Sequence, residues 1–154
     1  TMHLLFEAEH GPSGFDGPGG GDEINLVEAG KNYGWPRVHH KETAEGMVSP
    51  LAEFTPAVAP SGASFCNGRN IPAFKNNFFV AALRGKRLLR VKLDPESGRG
   101  VTGIENLLLG EFGRLRDVVE GPDGYLYFCT NNRDGRGAPS ESDDRILRIV
   151  FVSQ

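Results

Sequence analysis

The sequence has few cysteines, little excess charge and no long apolar segment, and each of these shortages excludes a class of protein. Two cysteines, Cys66 and Cys129, are too few for a disulfide framework or a cysteine metal cluster. A membrane-spanning helix needs about 18 consecutive apolar residues, and no segment of the sequence comes near that length. The net charge is 17 − 20 = −3, so no strong positive field favours nucleic acid. The sequence therefore predicts neither a membrane span nor a nucleic-acid partner.

Glycine, by contrast, is abundant, at 21 of 154 residues, about twice its usual share. Apolar runs are short and are separated by turn residues, and none shows the helical apolar stripe for three turns. A Gly-Pro-Asp-Gly turn at residues 121–124 is the clearest hairpin signal. The pattern predicts a nearly all-β chain. The expected strands are residues 4–9, 24–28, 63–66, 77–83, 87–93, 106–110, 115–120, 125–130 and 145–152.

A weak internal repeat indicates how these strands are organised. The segment 87–93 resembles the segment 145–151, and 77–80 resembles 125–128. A repeat of several strands is typical of a β-propeller blade, with a stack of sandwich hairpins as the alternative. Dividing the expected strands into four-stranded blades gives about three blades, of which the first and the last are incomplete. We therefore expect an open arc, which is either part of a longer protein or completed by a second copy.

The first candidate site follows the first expected strand. Glycine and proline at Gly11 and Pro12 fix the backbone where consecutive carbonyls can point at one place, and Asp22 and Glu23 follow closely. Calcium takes carbonyl and carboxylate oxygens of this kind. A plain surface turn is the alternative. His10, beside this turn, is either a base or a hydrogen-bonding residue.

The second candidate site is built from arginines at strand ends. Arg84 ends a buried strand, where it either caps the sheet edge or points into a central site. Strand alternation places Arg114 and Arg116 on one face. Two adjacent guanidiniums repel each other unless an anion lies between them, and carboxylates fit their forked donors. The alternative is a surface ion pair in which Asp117 neutralises part of the charge.

Two loops carry further polar or aromatic groups. Tyr33 and Trp35, the single tryptophan, flank Gly34. They either form a substrate platform or pack over the rim of the propeller ring. The loop over residues 131–144 mixes charges of both signs, and it either orders a cation or is solvated.

Taken in order, several segments resemble the glucose/sorbosone dehydrogenase family, whose soluble aldose dehydrogenases use pyrroloquinoline quinone (PQQ). The matching segments are EHGP (9–12), GGDEINLV (20–27), GKNYGWP (30–36), APSG (59–62), FFVAALRG to LLRVKLDP (78–95), RLRDVVEGPDGYLY (114–127) and NRDGRG to DDRIL (132–147). The resemblance implies a six-bladed β-propeller, of which residues 1–154 are the C-terminal half or slightly less.

The resemblance also implies roles for the candidate residues. In the family, carbonyls at the positions of Gly11 and Pro12 bind the Ca²⁺ that holds PQQ. Asp22 and Glu23 match an acidic pair that helps to hold calcium in some members, although the segment before them is longer than usual here.

The arginines take cofactor roles by the same resemblance. Arg84 matches a basic residue that reaches the quinone oxygens or a cofactor carboxylate, and Arg114 and Arg116 match the pair that binds the carboxylates of PQQ. Thr55 and Ala57 stand where some members have a tryptophan and a threonine, which fits the broader aldose-type branch.

The implied reaction is the oxidation of an aldose to a lactone by hydride transfer to PQQ, in a periplasmic or secreted protein. None of His3, His10, His39 and His40 matches the family's catalytic histidine, so we expect no catalytic residue and no turnover in this chain alone. A non-catalytic propeller that binds protein ligands is the alternative function. A sugar-lactone hydrolase is a third, and the EHGP and RLRD motifs fit it poorly.

Overall fold

The computed structural model describes residues 4–12 and 19–150, and it contains ten strands and one short 3₁₀-helix at Pro72–Phe74. The strands are β1 (Leu5–Glu9), β2 (Asp22–Val27), β3 (Ala52–Phe54), β4 (Pro60–Phe65), β5 (Phe78–Ala82), β6 (Arg87–Leu93), β7 (Val101–Leu107), β8 (Leu115–Glu120), β9 (Leu126–Thr130) and β10 (Ile146–Arg148). The all-β prediction is confirmed. In the described residues no helix is long and apolar enough to cross a bilayer.

The strands form three antiparallel sheets in which sequence neighbours pair. Their strand orders are β1-β2-β3, β4-β5-β6-β7 and β10-β9-β8. This up-and-down arrangement is that of propeller blades. The internal repeat is confirmed, because β5 and β9 are each the second strand of their sheet and β6 and β10 are each the third.

Several expected strand boundaries were wrong. The short strand β3 was missed, since three residues give too little alternation to detect. Strand β7 covers Val101–Leu107, earlier than the expected 106–110, because Leu108 and Gly110 take positive φ in the turn that follows. Strand β10 stops at Arg148, and residues 151–152 of the expected strand lie outside the described residues.

The chain divides into two compact units, residues 1–60 and 61–154. The first contains the sheet β1-β2-β3, whose register pairs Glu9 with Glu23 and Glu23 with Glu53. Successive residues of a strand point to opposite faces. Glu23 therefore shares one face with Glu9 and Glu53, and Asp22 and the fully buried Ile24 lie on the other.

The second unit has its apolar core between β5 and β8. The core includes Phe79, Leu88, Leu115, Val118 and Phe128, all nearly inaccessible to water. Burying each such side chain contributes about 1.5–3 kcal/mol. The predicted hairpin turn at residues 121–124 is confirmed between β8 and β9, and its final glycine has φ +80°.

Candidate functional site

A β-bulge sets the directions of the side chains at the start of β8. Leu115 pairs with Thr130 and Asp117 pairs with Cys129, so Arg116 is the extra residue. The bulge lets Leu115 and Val118 both enter the core although they are three residues apart. Simple alternation would have placed Asp117 on the core face, and it is instead exposed.

Arg114 and Arg116 meet at the carboxylate of Asp134. The Nε and Nη2 of Arg114 donate to Oδ2 of Asp134 at 3.1 and 2.7 Å, and Nη2 of Arg116 lies 3.9 Å from the same oxygen. Arg114 is buried, and the side chain of Arg116 is half exposed. Asp134, rather than the expected Asp117, therefore neutralises the pair. Its hydrogen bonds with Arg114 lower the pKa of Asp134 below its usual value.

The loop over residues 131–144 holds Asp134 in this position. Asn131 donates to Oδ2 of Asp134 at 2.9 Å, and the backbone amide of Arg136 donates to Oδ1 at 2.9 Å. At the base of the loop, the amide of Asn132 donates to Oδ1 of Asp144 at 2.6 Å. The loop is ordered by its own hydrogen bonds. No spacing pattern joins Asp134 to an arginine twenty residues earlier.

Arg84 lies in the turn of residues 83–86 between β5 and β6, where it is exposed. Ser61 holds the strand ends beside it together: its hydroxyl lies 3.0 Å from the carbonyl of Ala81 and 3.1 Å from that of Leu115. The end of β5 and the start of β8 are thereby adjacent. Within the described part of the chain, no salt bridge involves Arg84, and its predicted contact with the cofactor stays a prediction.

In the first unit, the loop after β1 contacts the backbone of residues 20–21. A Cβ on Gly11 would lie 2.0 Å from the carbonyl oxygen of Gly20 and 2.5 Å from backbone atoms of Gly21. Only glycine fits this contact. His10 beside it is engaged through Nε2 with the carbonyl of Pro60 at 2.7 Å, which is the hydrogen-bonding role named as its alternative.

The carboxylate of Asp22 accepts three backbone N–H groups. Its Oδ1 accepts from Gly11 at 2.9 Å, and its Oδ2 accepts from Val58 and Ala59 at 2.7 Å each. The side chain is buried, as such a polar group is when its partners are satisfied. In the structure, Asp22 thus holds the backbone at Gly11, Val58 and Ala59 through these hydrogen bonds. Its predicted contact with calcium stays a prediction.

Glu23 stands in a row of three carboxylates across the sheet. Burial, followed by the charges of Glu7 and Glu23, raises the pKa of Glu9 to about 7. Burial also raises the pKa of Glu23, which accepts a hydrogen bond from Asn25 at 3.3 Å. Two close carboxylates cannot both ionise freely, so the charge of Glu23 adds to the effect of burial on the pKa of Glu9.

A cavity of about 230 Å³ lies in the first unit, and its walls include Glu9, Gly11, Pro12, Glu23 and Trp35. Three of the four predicted calcium residues thus border one space. Within residues 4–12 and 19–150, no group of three or more His, Cys, Asp or Glu side chains forms a metal cluster. A hard cation in this cavity would meet the backbone at Gly11 and Pro12 together with the carboxylates of Glu9 and Glu23.

Trp35 forms a half-exposed wall of this cavity. The neighbouring Tyr33 also borders it, but its hydroxyl is fixed by donating to the carbonyl of Leu26 at 2.7 Å and accepting from the amide of Glu28 at 2.8 Å. The tryptophan therefore keeps an accessible face, as a substrate platform would require, and Tyr33 supports the loop.

Comparison with known proteins defines the family. Residues 1–148 match the family model of glucose/sorbosone dehydrogenase, and the chain belongs to this family. It is 34% identical to the aldose sugar dehydrogenase YliI of Escherichia coli, over 86% of this chain and 37% of that protein. It is 24% identical to quinoprotein glucose dehydrogenase B of Acinetobacter calcoaceticus, over 77% of this chain and 38% of that protein.

A solved relative confirms the fold class. The PQQ-bound form of the aldose sugar dehydrogenase of Streptomyces coelicolor is 35% identical and has a TM-score of 0.76, over 94% of this chain and 39% of that chain. The chain is thus made of β-propeller blades. It spans roughly a third to two fifths of the length of the relatives that it matches.

Proposed function

We propose that this chain carries part of the cofactor site of a PQQ- and calcium-dependent dehydrogenase that oxidises aldose sugars to lactones. Membership of the family and the PQQ-bound relative support this proposal. The observation that carries it is the pair Arg114 and Arg116, brought to a single carboxylate at the start of β8. A buried guanidinium beside a second one is a strong site for a polycarboxylate.

The residues of each unit fit a different part of this role. Arg114 and Arg116 would bind the carboxylates of PQQ, and the exposed Arg84 would bind a carboxylate or a quinone oxygen. Gly11 and Pro12 would hold Ca²⁺ through their carbonyls, with Glu23 as a nearby carboxylate. When bound, PQQ supplies a hydride acceptor and Ca²⁺ a Lewis acid. The work of these residues is to hold and orient those groups before the reaction.

The proton acceptor for the sugar hydroxyl is a separate requirement. His10 is engaged with the carbonyl of Pro60, and Nδ1 of His40 lies 3.1 Å from Nδ1 of His39. His3 lies outside the described residues. We therefore propose that the base comes from elsewhere in the complete enzyme, and that this chain alone binds cofactor without turning over substrate.

We further propose that residues 1–154 are the C-terminal part of a six-bladed propeller, completed by the rest of a longer chain or by a second copy. Exposed apolar residues on the β8-β9-β10 sheet, Val119 and Ile146, support a covering neighbour. A periplasmic or secreted location is part of the same proposal and rests on the family resemblance. Light scattering on the purified chain distinguishes a dimer from a monomer.

A reconstitution experiment tests the proposed function. The purified chain is mixed with PQQ and Ca²⁺, cofactor binding is measured by equilibrium dialysis, and aldose oxidation is followed with a dye acceptor. We expect saturable PQQ binding without turnover. Absence of PQQ binding would favour the non-catalytic binding module, and turnover by the monomer would contradict the proposed absence of the base.

A further inference from the structure

The three hydrogen bonds of Asp22 join two segments that are distant in sequence. Gly11 lies in the loop after β1, and Val58 and Ala59 lie in the turn before β4. Both carboxylate oxygens are used, and the side chain is only 2% exposed. Hydrogen bonds from amides to an ionised carboxylate are among the stronger ones in proteins. This one side chain therefore fixes the position of the Gly11 amide.

The side chain of Asp22 points away from the cavity that Gly11 and Pro12 border. Glu23 is one of the residues that line this cavity. Because Asp22 precedes it on β2, its side chain projects from the opposite face of the sheet. The two acidic neighbours consequently have different surroundings. Glu23 faces the space that a cation would occupy, and Asp22 holds the backbone behind that space.

We infer that Asp22 is a positioning residue, which holds the Gly11–Pro12 backbone in place for cation binding and does not itself bind the cation. This inference deepens the proposed function and rests on its assignment of the calcium loop. Main-chain carbonyls have no rotamer to adjust, so a cation site made from them depends on the groups that fix the loop. Loss of such an outer partner typically weakens metal binding by about 10- to 100-fold.

Terbium(III), a luminescent analogue of calcium, tests this inference in the presence of PQQ. Trp35 is the single tryptophan and borders the same cavity as Gly11 and Pro12, so it is the excitation donor for an ion bound there. The variant is Asp22→Asn, whose amide group presents N–H donors to backbone N–H donors. The control is Glu45→Gln, which removes the same charge from an exposed position of the same unit that does not border this cavity.

We expect terbium affinity to fall by about 10- to 100-fold in Asp22→Asn, and by no more than about twofold in Glu45→Gln because exposed charges are screened. Hydrogen exchange at the Gly11, Val58 and Ala59 amides is the second readout, and it should accelerate in Asp22→Asn alone. If Asp22→Asn does not fold, Asp22→Ser, which is smaller and keeps one acceptor oxygen, should show the same losses.

Two results would overturn the inference: unchanged terbium affinity in the Asp22 variants, or an equal loss in Glu45→Gln. Failure of the proposed function looks different. In that case the wild-type chain gives no tryptophan-excited terbium emission that Ca²⁺ displaces, although the three amides remain protected by Asp22. The positioning role toward a cation is then rejected together with the calcium assignment, and the amide contacts are purely structural.

Discussion

Arg114 donates two hydrogen bonds to a single oxygen of Asp134, at 3.1 and 2.7 Å, and this ion pair lies where β8 begins. The same oxygen lies 3.9 Å from Arg116. Asp134 thus takes the place that a carboxylate of an anionic ligand would take between two guanidiniums. An incoming carboxylate would therefore compete with Asp134 for the guanidinium donors.

Replacing Asp134 should therefore change ligand affinity and stability in opposite directions. In Asp134→Asn, the two guanidiniums lose their counter-ion. We expect a lower midpoint of thermal unfolding and an affinity for PQQ that rises by about threefold, because an incoming carboxylate no longer competes with a resident one. Calorimetric titration measures the affinity. Asp123→Asn, which removes a carboxylate paired with Arg148 in the same unit, is the control and should leave PQQ affinity unchanged.

The carboxyl pair of β1 and β2 predicts a specific dependence of stability on pH. The pKa of Glu9 is raised to about 7 in the folded protein from an ordinary value of 4.5. Folding therefore favours the protonated form. This contribution is complete below pH 4.5 and is lost as the pH rises from about 4.5 to about 7.

The variant Glu9→Gln isolates this effect. Since Glu9 is partly solvated, screening reduces the change to about 1 kcal/mol. We expect Glu9→Gln to unfold at a higher urea concentration than wild type at pH 8, and the difference to shrink at pH 4. A difference that grows toward acidic pH would show that Glu9 is ionised in the folded state.

The close approach of Gly11 to Gly20 predicts that this position accepts no side chain. The atoms nearest to an added Cβ belong to the backbone, so they cannot rotate away. We expect Gly11→Ala to destabilise the fold by about 1–3 kcal/mol, as overpacking does. Gly19→Ala is the matched control, because a Cβ there meets no atom within 4 Å. Equal urea denaturation midpoints for the two variants would contradict the packing of this loop.

Ser61 connects the strand ends that carry the arginines. Its hydroxyl is within hydrogen-bonding distance of the carbonyls of Ala81 and Leu115. We expect Ser61→Ala to reduce the free energy of unfolding by about 1 kcal/mol, the usual worth of such a bond. It should also weaken PQQ binding by less than Arg114→Gln does, because it leaves the guanidinium in place. An unchanged unfolding free energy would show that water replaces the hydroxyl.

The general architecture followed from local chemistry, and the arginine pairing did not. Short apolar runs bounded by turn residues predicted β6 and β8 with their observed bounds. The pairing of Arg114 with Asp134 depends on the bulge at Arg116 and on how the loop over residues 131–144 folds. Neither has a periodic signal. The hydrogen bonds that Asp22 accepts from backbone amides were likewise not predicted, because Val58 and Ala59 come close to it only through tertiary folding.

The most direct test compares the PQQ affinity of the wild-type chain with that of the double variant Arg114→Gln/Arg116→Gln. Its control, Arg69→Gln/Arg148→Gln, removes the same charge around the 121–124 hairpin, at the other end of β8 and β9. We expect the first variant to weaken binding by about 100-fold because two charge-assisted contacts are lost, and the control to change it by less than about threefold. Equal affinities for the two double variants would contradict the proposed role of Arg114 and Arg116 in binding PQQ.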